Sequence, residues 1–216
     1  MKKTILFIIM VVVALTSSFA QEKRYAFENA VLKKISGARG VTSSTVYIDD
    51  YGRNELTESI MSIPNQENVT SIMVTLIKDG YAYYTEKRSN DTETTQYRGT
   101  KIDIATVDDY TMINYLNLTD EVKKKFQIEE KGNEQLLGKD CNVYELIQPA
   151  LTTRGISAKI TVWVWQGLPL KSAMTAMLPN GEEITSVVEE VTEIQENVTI
   201  AKEKFVMPEN VIFLER

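Results

Sequence analysis

Residues 70–87 carry the sequence TSIMVTLIK-DG-YAYYTEK, and this stretch decides the class of fold. Both arms are rich in β-branched and aromatic residues, which favour strands. The Asp79-Gly80 pair between them is typical of a two-residue hairpin turn. Because so short a loop joins only antiparallel neighbours, the stretch predicts an antiparallel β-hairpin.

Similar short segments, separated by Gly, Pro, Asn and Asp, continue on both sides of this hairpin. Residues 25–36 fit either a helical face or a strand face, and we assign them to a strand. Strands are predicted over residues 41–50, 54–63, 70–78, 81–87, 141–148, 156–166, 170–178 and 182–196, with a further candidate over 93–97.

One part of the chain departs from the strand pattern. Between residues 106 and 126 the apolar residues follow a loosely helical period, and Thr119-Asp120-Glu121 is typical of the start of a short helix through Phe126. The order of strands, one helical insertion and more strands predicts an antiparallel meander rather than a parallel α/β sheet. So long a meander must curl, because its edges would otherwise pair with other chains.

The N-terminus has the features of a bacterial-type signal peptide over residues 1–20. Lys2 and Lys3 precede an apolar run, and Ser18 and Ala20 stand at the small-residue positions for cleavage before Gln21. An uncleaved anchor is the alternative, although the run is short for a membrane span. We expect export to the periplasm or the medium. Since no Cys follows the cleavage site, we expect a soluble protein without a lipid anchor, with residues 21–216 forming a single domain.

The amino-acid composition argues against several classes of function. The chain carries 24 Lys+Arg and 30 Asp+Glu, and the predicted signal peptide would remove two lysines and no acid. So acidic a chain argues against a nucleic-acid partner. There is no histidine, which removes the usual general base and the commonest transition-metal ligand. The single cysteine, Cys141, lies in a strand-like run and predicts a buried thiol rather than a reactive one.

The sequence contains no recognisable motif for catalysis, metal binding or a cofactor. The carboxylates do not match a calcium loop, and there is no GxSxG, P-loop or GxGxxG sequence. We therefore expect no catalytic residue, no metal site, no cofactor and no enzymatic activity.

The strand over residues 160–165 (ITVWVW) has two apolar faces. Ile160, Val162 and Val164 alternate with Thr161, Trp163 and Trp165, so each set points to one side of the sheet. One face covers the core, and the other needs a cover as well. The helical insertion, a ligand and a partner protein are the alternatives, and with a ligand Trp163 and Trp165 line its cavity.

Methionines are a second candidate for a ligand lining, because their flexible side chains repack around varied shapes. Ordinary core packing is the alternative for all of these apolar side chains. The candidate ligand-contacting residues are Ile72, Met73, Val74, Met112, Trp163, Trp165 and Met174.

Four phrases of the sequence resemble motifs of small exported proteins from Bacteroidetes: residues 46–53 (VYIDDYGR), 138–144 (GKDCNVY), 162–171 (VWVWQGLPLK) and 205–208 (FVMP). Those proteins are similar to the LolA/LolB-like periplasmic lipoprotein carriers and to the mycobacterial lipid-binding lipoproteins. The resemblance implies an α+β, mainly β fold. Its strongly curved antiparallel sheet, an unclosed β-barrel, would have a few helices packed on the concave face around an apolar cavity.

The resemblance also implies a function, which we hold as an expectation. The protein would be a non-enzymatic carrier or binding protein for an acyl chain, a lipid or a lipoprotein. The alternative is an interaction or scaffold protein of the cell envelope that uses the same fold without a small-molecule ligand.

Overall fold

A computed structural model describes residues 22–37, 41–62, 70–89, 96–107, 110–148 and 155–214. The predicted signal peptide lies outside these residues, and so do residues 93–95 of the candidate strand over 93–97. None of the helices in the described ranges has the length or the hydropathy of a membrane-spanning segment.

Twelve described strands form one sheet in the order β12-β6-β5-β4-β3-β2-β1-β11-β10-β9-β8-β7. The strands are β1 (Ala30–Gly37), β2 (Val41–Asp49), β3 (Asn54–Ser62), β4 (Thr70–Lys78), β5 (Tyr81–Ser89), β6 (Arg98–Asp103), β7 (Glu129–Leu136), β8 (Lys139–Gln148), β9 (Ser157–Trp165), β10 (Leu168–Met177), β11 (Glu183–Glu196) and β12 (Ile212–Phe213).

Two antiparallel meanders build this sheet. Strands β1 to β6 form the first and β7 to β11 the second, and the β1–β11 pair joins them. Among the described strands, only the two-residue β12 pairs in parallel, against β6. Among the described strands the sheet stays open, with β7 at one edge and β12 at the other. The predicted mainly β chain with a curved, unclosed antiparallel sheet and few helices is therefore confirmed.

The hairpin from which the prediction started is formed as expected. Lys78 pairs with Tyr81, and Asp79 and Gly80 both have positive φ, 52° and 80°. Two positive φ values in succession define the type I′ turn, whose twist matches that of the flanking strands. The assignment of residues 25–36 to a strand is confirmed from Ala30 onward.

The helical insertion between β6 and β7 is mostly irregular. It contains 3₁₀ turns at Ile104–Thr106 and Tyr110–Met112 and one six-residue helix, α1 (Asp120–Lys125). The Thr119 hydroxyl accepts a hydrogen bond from the Val122 N–H at 3.3 Å, which caps the helix where the sequence predicts its start. Val122 and Phe126 pack into an apolar cluster with Ile160 of β9.

The outer face of the first meander is covered by the chain after β11. Phe205 packs against Leu56, Val74 and Leu76, all of which are buried. The Lys204 ammonium lies 2.8 Å from the Glu58 carboxylate and holds the segment in place. The residues after β11 are thus a lid on the outer face of β3 and β4.

An N-terminal segment, residues 22–29, crosses one end of the curved sheet. The Tyr25 N–H donates to the carbonyl of Tyr51 at 3.2 Å, and the Ala26 N–H donates to the carbonyl of Gln166 at 2.9 Å. Tyr51 lies in the β2–β3 turn and Gln166 in the β9–β10 turn, so the segment links the two meanders. Phe27 stacks between Tyr25 and Trp165, with ring centroids 5.3 Å apart on each side.

Gly52 allows the N-terminal segment to approach this closely. A Cβ at Gly52 would lie 2.6 Å from the Tyr25 ring, and Gly52 has a φ of +83°. Gly80 has nearly the same φ, +80°, but a Cβ there would meet nothing within 4 Å. The two glycines therefore have nearly the same φ but differ in how closely neighbouring side chains approach them.

We expect Gly80→Ala to lower the free energy of unfolding by about 1 kcal/mol, the strain of a positive φ. Gly52→Ala carries the same strain and also displaces Tyr25, and we expect a further loss of about 1–3 kcal/mol. Urea denaturation of both variants measures the difference. Equal losses would contradict the close packing of Tyr25 on Gly52.

Candidate ligand-binding cavity

A cavity of about 390 Å³ lies on the concave face of the sheet. Its wall can be followed along rows of cross-strand neighbours, which share a face of the sheet. In the first meander, Leu32, Val46, Thr57, Thr75 and Tyr84 are paired in sequence from β1 to β5, and all five line the cavity.

The second meander contributes a similar row. Ser36 of β1 pairs with Glu189 of β11, Glu189 with Ser172 of β10, and Ser172 with Val162 of β9. All four side chains line the same cavity. One continuous concave surface therefore runs from β5 through β1 to β9.

These rows measure how strongly the sheet bends. Tyr84 on β5 and Val162 on β9 are separated by seven strand steps in the sheet order. At about 4.8 Å per step, a flat sheet would hold them about 34 Å apart. Because both line one cavity of about 390 Å³, the sheet must curl around it.

The insertion covers the cavity on the side of β9. Tyr110, Met112 and Tyr115 line it from this segment. The Tyr110 N–H donates to the side-chain oxygen of Gln148 at 2.9 Å, and the Ile147 N–H donates to the carbonyl of Phe126 at 2.8 Å. Hydrogen bonds to β8 thus fix both ends of the covering segment.

A half-buried ion pair, with side-chain exposures of 15% and 16%, lies at the end of the cavity nearest the N-terminal segment. The Arg24 guanidinium lies 3.0 Å from the Glu55 carboxylate, and the Tyr25 hydroxyl donates to the same oxygen at 2.7 Å. Burial of the guanidinium lowers the pKa of Arg24. The combined electrostatic effect of the nearby Tyr25 and Glu55 oxygens is larger, so the pKa of Arg24 is raised overall. Burial also raises the pKa of Tyr25, so this hydroxyl stays protonated.

A second ion pair joins Lys34 to Glu189 across β1 and β11. These two residues, together with Arg24 and Glu55, are the only Lys, Arg, Asp or Glu residues among the described residues that line the cavity. Each cation is matched by an anion, so the wall has no net charge. Threonine, serine and tyrosine hydroxyls supply the rest of its polarity.

Two of the predicted ligand-contacting residues lie in this wall, namely Met112 and Met174. Met73 shares a face with Thr75 and Ile77, which line the cavity, but does not line it itself. Ile72 and Val74 alternate with these residues and point to the other face, where Val74 packs beneath Phe205.

The two tryptophans do not line the cavity. Trp163 lies on the face opposite Val162, where its indole N–H donates to Glu134 at 2.8 Å and the Lys171 ammonium lies over its ring. Trp165 is buried at the end of β9 against Phe27. Both rings contribute to packing, and any role in ligand binding stays a prediction.

Cys141 is fully buried within the core cluster that contains Trp165. Burial raises the pKa of its thiol, which donates to the carbonyl of Lys139 at 3.6 Å. The predicted buried thiol is therefore confirmed. Among the described residues, no three His, Cys, Asp or Glu side chains come together in an arrangement that could hold a metal ion.

A wider and more open depression of about 1,020 Å³ borders the cavity. Arg24 and Met112 line both spaces. The remaining wall of the depression comes from the turns at this end of the sheet, including Asp50, Asp79 and Asp103. The cavity therefore faces solvent-accessible space on the side of the Arg24–Glu55 pair.

We expect Arg24→Met to lower the free energy of unfolding by about 1–3 kcal/mol, because it leaves the half-buried Glu55 carboxylate without its counter-ion. Arg53→Met is the matched control, since the Arg53–Asp50 pair is more exposed. It should cost less than about 1 kcal/mol. Urea denaturation measures both values, and similar losses for the two variants would contradict the structural importance of the Arg24–Glu55 pair.

No protein-family model matches the chain, and no curated protein matches it. Among solved structures, the chain is similar to an uncharacterized conserved protein from Thermus thermophilus, with 10% identity, 88% of this chain and 92% of that chain covered, and a TM-score of 0.45. It is similar to a chain of the Pseudomonas aeruginosa MucA/MucB complex, with 11% identity, 83% of this chain and 56% of that chain covered, and a TM-score of 0.44. It is also similar to the Mycobacterium tuberculosis lipoprotein LppX, with 10% identity, 82% of this chain and 91% of that chain covered, and a TM-score of 0.40.

Proposed function

We propose that this protein is a carrier or binding protein of the bacterial cell envelope that holds a hydrophobic acyl chain in the concave cavity. The observation that carries the proposal is the cavity itself. Its volume of about 390 Å³ falls within the usual range of ligand pockets, about 300–1,000 Å³.

The cavity wall suits a long apolar ligand. Leu32, Val46, Ile77, Val162 and Met174 give it apolar surface from both meanders. Each methylene group that leaves water contributes about 0.8 kcal/mol, so a long acyl chain would bind usefully without any ion pair. Met112 and Met174 are flexible enough to adapt to chains of different shape.

Binding without covalent chemistry fits the residues at the wall. The chain has no histidine to act as a general base. The charged side chains of the wall are engaged with each other as Arg24–Glu55 and Lys34–Glu189. We infer that the protein holds its ligand and does not transform it.

The neighbouring depression provides a route for the ligand. It is open to solvent and shares Arg24 and Met112 with the cavity. A chain that enters there would pass the end of the sheet and slide along the row from Tyr84 to Leu32. The predicted signal peptide would place such a carrier outside the cytoplasm, where acyl chains need transport between membranes.

Organic-solvent extraction of the purified protein, followed by mass spectrometry, tests the proposal directly. We expect a stoichiometric amount of an acyl-chain compound, or saturable binding of a fluorescent fatty acid by the delipidated protein. The absence of lipid from the extract, together with the absence of binding of the fluorescent probe, would contradict the proposal.

A side chain that fills the cavity should weaken this binding. Thr57→Phe places a phenyl ring in the middle of the cavity wall, and we expect the Kd for the fluorescent fatty acid to rise at least about tenfold. Thr45→Phe is the matched control, because Thr45 lies on the adjacent strand but points to the opposite face. It should bind like the unmodified protein. Equal effects of the two variants would place the ligand elsewhere.

The alternative is an envelope interaction protein without a small-molecule ligand. Ile35, Val41, Ile60 and Val188 are exposed on the face that points away from the cavity. Exposed apolar residues that cluster in this way often mark a protein contact. A lipid-free protein whose stoichiometric complex with a partner is broken by Ile35→Asp or Ile60→Asp would favour this alternative.

A further inference from the structure

Two methionines line the cavity, but only one of them also lines the wider depression outside it. Met112 belongs to the helical insertion and Met174 to β10, and both lie in the cavity wall. Among the described residues, Met112 and Arg24 are the two that line both the cavity and the depression. These two side chains therefore stand at the boundary between the two spaces.

Arg24 forms the fixed side of this boundary. Its guanidinium pairs with Glu55 at 3.0 Å, and its backbone N–H donates to the carbonyl of Tyr51 at 2.9 Å. Its own carbonyl lies so close to Gly167 that a Cβ there would overlap it. Displacing Arg24 would break the ion pair and disturb this packed backbone, so we expect Arg24 to stay in place while a ligand passes.

Met112 forms the adaptable side. The backbone around it is anchored, because the Tyr110 N–H donates to Gln148 at 2.9 Å and the adjacent Ile113 is buried in the apolar cluster that contains Ile160. The Met112 side chain is half-buried and is not a member of that cluster. Because an unbranched methionine side chain changes rotamer readily, it can move without moving the turn that carries it.

Met174 differs from Met112 in both respects. It packs against the apolar cluster, and it does not line the depression. It also lies seven residues beyond Gly167, the glycine next to the Arg24 carbonyl, which is about 20 Å at the usual rise of a strand. The two methionines therefore line the cavity at different distances from the depression.

We propose that Met112 is a movable gate between the depression and the cavity, so that a ligand enters and leaves past this side chain. The inference rests on the proposed function and adds the route of exchange to it. An obstruction in a passage slows entry and exit by the same factor, so it changes both rate constants and leaves the Kd nearly unchanged. A side chain that only contacts the bound ligand changes mainly the dissociation rate constant.

Stopped-flow kinetics with the fluorescent fatty acid cis-parinaric acid and the delipidated protein measure both rate constants. The variants are Met112→Trp, which narrows the passage, and Met112→Ala, which widens it. Met174→Ala is the matched control, because it shortens a methionine of the same cavity wall that does not line the depression. Urea denaturation checks that each variant is folded.

We expect Met112→Trp to lower the association and dissociation rate constants together, by about 3- to 10-fold, and Met112→Ala to raise both. The Kd, which is their ratio, should change far less than either rate constant. Met174→Ala should raise the dissociation rate constant, because it removes apolar contact with the bound chain, and should leave the association rate constant unchanged.

Three results would overturn the inference while the proposed function stands, because the ligand still binds. The first is that both Met112 variants leave the rate constants unchanged. The second is that they change dissociation alone, which would limit Met112 to contact with the bound ligand. The third is that Met174→Ala speeds association as much as Met112→Ala, which would place the entrance elsewhere. If cis-parinaric acid does not bind the unmodified protein, the proposed function fails together with the inference.

A second experiment blocks the same passage chemically. Met112→Cys adds one accessible thiol, since Cys141, the single cysteine of the chain, is fully buried and burial raises the pKa of its thiol. Treating the ligand-loaded variant with a bulky maleimide should trap cis-parinaric acid and slow its release. The unmodified protein treated with the same reagent is the control and should release the ligand at its usual rate. Equal release from the labelled and the unlabelled variant would overturn the inference.

Discussion

The fold depends on one constraint. A single long sheet with apolar residues on both faces needs other parts of the chain to cover each face. Strand β9 shows the constraint most clearly, with Val162 on one side and Trp163 on the other. The chain supplies three covers from outside the sheet: residues 22–29 at one end, residues 110–126 on the concave face and residues 200–207 on the outer face of β3 and β4. The cavity lies where the concave cover is incomplete.

The N-terminal segment, residues 22–29, links the packing at one end of the sheet to the cavity wall. Phe27 stacks on Trp165 and ties the segment to the second meander, while Arg24, three residues earlier, reaches Glu55 of the first. Gly167 contributes here as well as Gly52, since a Cβ at Gly167 would overlap the carbonyl of Arg24. The position of Arg24 in the cavity wall is therefore set by packing at the end of the sheet. A change at that end is expected to reach the cavity through this segment.

Much of the fold could be predicted from the sequence, because hairpins are local. The Asp79-Gly80 turn and the strands on each side of it carry their own signal. Strand β7 is not among the predicted strands, because its sequence EEKGNEQL has almost no apolar residue and seven of its eight residues are exposed. It is an edge strand held by β8 alone, and its charged side chains protect that edge from pairing. The cavity is harder to predict, since the row from Leu32 to Tyr84 depends on the register of five strands. The alternation of side chains along β9 predicts that Trp163 and Val162 lie on opposite faces of the sheet. It does not predict which of the two faces is concave.

Short side chains in the concave rows explain why the cavity stays open. At the bottom of a curled sheet, larger apolar side chains would close the space, and close packing is what protein cores normally achieve. Instead, the two concave rows place Thr57, Thr75, Ser36 and Ser172 there. These side chains are short enough to leave room, and their hydroxyls keep the wall polar without adding charge. The wall is therefore partly apolar, partly hydroxylated and without net charge, and the proposed binding of an acyl chain rests on these properties.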